Sequence, residues 1–75
     1  MSFQAYLDTI QNKTGLDADA LKARADAAGL SIDGRLKPDV KAGQVVEWGK
    51  DQLSLGHGHA MAIYALLSGK KKPGD

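Results

Sequence analysis

Not one cysteine occurs in these 75 residues, and for so short a chain that is the tightest constraint on the fold. A domain of this size buries little more than half of the surface its unfolded form exposes. Without disulfides or a thiolate zinc cage, the core must hold by packing of secondary structure alone, or by association with another copy. The same absence fits a reducing compartment. The opening MSFQAYLDTI lacks the basic and long apolar regions of a secretory leader, so a cytoplasmic location is expected. The longest apolar run, Ala60 to Leu67, is far short of the ~20 residues needed to cross a bilayer, and no membrane span is expected.

Apolar spacing then predicts an all-α domain, a compact bundle of four short helices over about 2–13, 17–28, 38–53 and 58–68. Phe3, Tyr6, Leu7 and Ile10 form one helical stripe, with Ser2 as the expected cap and Gly15 as the stop. Asp17 is placed to cap a second helix whose apolar face is mostly alanine, closed by Gly29. Residues 29–37 read as a loop pinned by Leu30, Ile32 and Leu36, and no sheet is expected. Pro38 suits the first turn of a third helix running through Val45, Val46 and Trp48 toward Leu53. Gly43 and Gly49 weaken that helix by about 1 kcal/mol each relative to alanine, and are read as points of close helix contact. The last helix is apolar on nearly every side, so it is either central to the bundle or covered by a second copy. Residues 1–69 form the single domain, and Lys70 to Asp75 read as a flexible basic tail.

Charge does little to name a partner. The net charge is +1; residues 1–34 carry three basic and five acidic side chains, and residues 35–75 seven basic and four acidic. This is not the strongly basic balance of a dedicated nucleic-acid binder.

Three segments together, SFQAYLDTIQNKTGL, LKPDVKAGQVVEW and LGHGHAMAIYALL, resemble a family of short bacterial domains of unknown function. The likeness covers almost the whole chain, and LGHGHA at 55–60 is its most specific part. It implies a compact helical fold and a bacterial source, and no activity. Two positions depart from the family pattern: Gly49 stands where a larger apolar residue is usual, and Ser54 where glycine is common.

One segment is hard to explain by packing. In Gly56-His57-Gly58-His59 two glycines flank a histidine at a helix entrance, which costs backbone entropy and suggests a need for unusual backbone freedom. A glycine-rich turn into a helix offers free N–H groups and the positive end of the helix dipole, an anion site. His57 and His59 would add donors, and Lys50, Lys41 or the Lys70–Lys72 tail would add charge. The plainer alternative is a tight turn whose histidines cap or pack. Gly56-x-Gly58-x-x-x-Ala62 also partly matches the hairpins that hold a nucleic-acid backbone, although Ser54 and Ala65 fill positions that normally carry large aliphatics. An i, i+2 histidine pair without a third ligand makes a poor zinc site.

The expectation is therefore a non-enzymatic binding or interaction module. Its partner is an anionic ligand or a protein, the GHGH turn is its edge, and no cofactor, metal or catalytic residue is assigned. Nucleic-acid binding is the second reading and a small enzyme or metal site using His57 and His59 the third, and the apolar last helix leaves self-association open.

Overall fold

A computed structural model describes residues 2–75. Four helices, α1 (Phe3–Thr14), α2 (Ala18–Ala27), α3 (Ala42–Leu53) and α4 (His57–Ser68), surround one core, with a small hairpin of β1 (Ser31–Ile32) and β2 (Arg35–Leu36) between α2 and α3.

The first two helices follow from their ends. The Ser2 hydroxyl accepts from the Ala5 N–H, and Gly15 takes the left-handed conformation at φ 76° that lets the chain leave α1. Asp17 accepts from the Ala20 N–H in the same way. Past α2, the Leu30 N–H reaches back to the Ala25 carbonyl and Gly29 turns the chain at φ 80°. Phe3, Leu7 and Ile10 from α1 and Leu21 and Ala25 from α2 enter the core.

Between α2 and α3 the expected loop is instead an antiparallel hairpin, pairing Ser31 with Leu36 and Ile32 with Arg35. Asp33 and Gly34 form its turn at φ 52° and 79°, the paired left-handed conformations of a tight two-residue hairpin. Asp26 pins it to α2: its carboxylate accepts from the Ser31 hydroxyl and, at 3.1 Å, from the Gly34 N–H. Ser31 is buried, whereas Ile32, on the other face, is exposed.

The third helix starts four residues later than the proline suggests. Pro38 sits at the second position of a turn closed by the Val40 N–H on the Lys37 carbonyl, the other place where its fixed φ is favoured. Lys41 is extended, and its N–H donates to the Gln44 side chain at 2.8 Å, which starts α3 at Ala42. A three-residue connection, Ser54 to Gly56, then returns the chain into α4.

α4 is the central element. It packs on α1, α2, α3 and β2. Ala60, Ala62, Ile63, Leu66 and Leu67 are buried along it. Of the sequence's two explanations for an all-round apolar helix, centrality is the one the fold uses. Ile10, Leu21, Val45 and Ile63 are fully enclosed, and such burial is worth about 1.5–3 kcal/mol per side chain. Among the described residues, no helix is long and apolar enough to cross a membrane.

Candidate functional site

The GHGH segment divides differently from its sequence reading. Gly56 is the residue before the helix, and His57, Gly58 and His59 are its first turn. Gly56 has φ −75° and ψ 172°, an ordinary extended conformation, and Gly58 is helical. Neither has positive φ, and a Cβ on either would meet nothing within 4 Å. The expected need for unusual backbone freedom is thus not met at either glycine; a side chain would fit at both.

What the glycines leave is an open helix end. α1, α2 and α3 each have a side chain bonded at the entrance, from Ser2, Asp17 and Gln44 respectively. α4 has no side-chain cap. Among the described residues the N–H groups of His57, Gly58 and His59 donate to no protein acceptor, since the first bond of the helix is Ala60 N–H to the Gly56 carbonyl. Three donors and the positive end of the dipole therefore face outward past two positions without side chains.

The two histidines have different surroundings. His57 is exposed. His59 is half-buried and packs edge-on against Tyr6 of α1, with ring centroids 5.3 Å apart and planes at 72°. His59 therefore packs, as the plainer reading holds, while His57 is free to meet a ligand.

The charge expected around the turn is rearranged. Lys50 is exposed in the last turn of α3, at the GHGH end. Lys41 precedes α3, and Lys70 to Lys72 follow α4, so each lies a 12-residue helix away, roughly 18 Å. They cannot act at the turn. In their place, Lys13 of α1 and Arg24 of α2 meet Leu53 and Ser54 around an open hollow of about 300 Å³ beside the turn. Neither stands out in the sequence. Nothing local marks them, because three separate helices build the hollow.

A carboxylate with a lowered pKa, Asp26, lies elsewhere, at the hairpin. The Ser31 hydroxyl, and after it the Gly34 N–H, hold Asp26 below the usual aspartate range against a smaller opposing effect of desolvation. This group serves the hairpin. Among the described residues no cluster of three His, Cys, Asp or Glu side chains stands close enough to hold a metal ion.

The C-terminal residues fold back along the molecule, where the Gly74 N–H donates to the Gln4 side chain at 2.8 Å.

No curated protein and no solved structure matches the chain. The family described as "Domain of unknown function (DUF4287)" matches residues 2–69, nearly the full length, and the chain belongs to that family.

Proposed function

We propose that this is a non-enzymatic binding module of the bacterial cytoplasm that uses the first turn of α4 to hold an anionic group, a phosphate or carboxylate, on a ligand or partner protein. One observation carries the reading: among the described residues α4 is the helix with no side-chain hydrogen bond of any kind at its entrance, with three unbonded amides behind glycines that nothing in the fold requires. Lys13 and Arg24 beside the turn, Lys50 and the exposed His57 supply positive charge and donors to the same end.

Nucleic acid is the second reading. The three-residue connection between α3 and α4 resembles a phosphate-gripping hairpin in outline. It is the weaker one, since the lysine-rich tail lies at the other end of α4.

The test is an NMR titration following the amides of Gly56 to Ala60 against inorganic phosphate, an acidic peptide, a short DNA duplex and zinc. Saturable shifts at His57, Gly58 and His59 with phosphate or carboxylate are expected. A duplex that binds more tightly, with affinity falling steeply as salt rises, would favour the nucleic-acid reading instead. Silence with every probe would overturn the assignment of this edge.

A further inference from the structure

At the opposite end of α4 the fold makes a second and larger concavity, an open groove of about 570 Å³. One wall is Arg35, Leu36, Lys37, Pro38 and Val40; the other is the C-terminal half of α4, with Tyr64 and Leu67. We propose that this groove is a docking site for an acidic peptide segment that carries one bulky apolar residue.

Three features define that occupant. Arg35 and Lys37 line the groove, whereas Asp39, exposed in the same stretch, is not part of the lining, so the charge that lines it is positive. Gly69 forms its rim and is followed directly by Lys70, Lys71 and Lys72, which extend the positive surface past the helix end. The carbonyls that end α4 would oppose an anion, but the Gly69 and Lys71 N–H groups already bond two of them, at Leu66 and Ala65. Beside the cations, and next to Ser68 and Tyr64, the half-buried Leu36 and Val40 and the edge of the core residue Leu67 supply a small apolar surface that one hydrocarbon side chain can cover. A nucleic-acid backbone would use the charges and leave this apolar surface empty, and Tyr64 stands as the only aromatic, where strand-binding grooves interleave several. An acidic peptide with a hydrophobic anchor uses both halves.

This site is independent of the one at the GHGH turn, and amide shifts separate the two. The probe is an acetylated, amidated peptide of about ten residues, aspartate and glutamate around a central leucine, titrated into the 15N-labelled chain to ~1 mM. Saturable shifts at Leu36, Lys37, Tyr64 and Gly69 are expected, with Gly56 to Ala60 read separately. Replacing the leucine by serine, or the carboxylates by amides, should abolish saturation. The double variant R35Q/K37Q, checked for an unchanged circular dichroism spectrum, should weaken binding about tenfold, the effect of losing two modest charge contacts. The proposal is overturned if the groove stays silent with the peptide, if the serine peptide binds equally well, or if an oligothymidylate gives the same shifts more tightly.

Discussion

Gly49 and Ala60 meet where α3 packs on α4, so closely that a Cβ on Gly49 would lie 3.0 Å from the Ala60 Cβ and 3.5 Å from its Cα. The glycine is buried, and its missing side chain is what lets the two helices approach. Close contact at this position is what the sequence suggested for Gly49. At Gly43 nothing lies within 4 Å, so that glycine has no such role.

Gly49→Ala should therefore destabilise the chain although alanine is the better helix former. The propensity gain is about 1 kcal/mol, while overpacking a tight contact typically costs 1–3, leaving a net loss of about 1. Adding Ala60→Gly to this variant removes the obstructing methyl, and the two changes should couple favourably by about 1 kcal/mol. Urea unfolding followed by circular dichroism measures all four members of the cycle. A raised midpoint for Gly49→Ala alone would show that the helices have room to part.

Ser54 holds the αL conformation at φ 55° where α3 ends, with the Leu55 N–H bonded to the Gly49 carbonyl. This is the position a glycine fills without strain. Ser54→Gly should raise stability by roughly 0.5–1 kcal/mol, the relief of left-handed strain less the added freedom of the unfolded chain. An unchanged or lowered urea midpoint would mean that the Ser54 side chain contributes something the geometry does not show.

Asp26 joins α2 to the hairpin through Ser31 and Gly34, and those two donors lower its pKa. A carboxyl whose pKa is lower in the folded state than in the unfolded one stabilises the fold above about pH 4 and loses that contribution as pH falls through the folded value. The stability advantage of the native chain over Asp26→Asn should accordingly be full at pH 6 and shrink steadily below about pH 4. Ser31→Ala, which removes the donor with the larger effect, should move the decline to higher pH. A constant difference from pH 6 to pH 2 would refute the linkage.

The sequence revealed what is local and missed what is assembled. α1 and α2 were legible because Ser2, Asp17 and Gly15 act within a few residues of where they stand. The hairpin was not, although Asp33-Gly34 is a strong turn signal, because two-residue strands show no alternation. Its anchor, Asp26, lies eight residues from the Gly34 N–H it accepts. Pro38 is compatible with both a helix start and a turn, and the capping by Gln44 decides between them. At the candidate site the GHGH segment was visible and its reason was misread. Lys13 and Arg24 were invisible because only tertiary packing brings them to Ser54.

The glycines of the α4 entrance supply the sharpest test of whether this end is architecture or function. Gly56 already has the extended backbone of a helix cap, so Gly56→Ser should gain a side-chain bond to the free amides, worth about 1 kcal/mol. Gly58→Ala should add about 1 kcal/mol through helix propensity, since its Cβ meets nothing within 4 Å. Both variants should unfold at higher urea than the native chain, because neither glycine answers to a constraint of the fold. If the turn binds an anion, the same serine hydroxyl competes for the donors, and phosphate shifts at His57 to His59 should weaken in the more stable Gly56→Ser variant. Stability bought by losing a ligand is the expected signature of residues kept for binding. Gly56→Ser that is more stable and binds phosphate undiminished would leave the open helix end without a functional role.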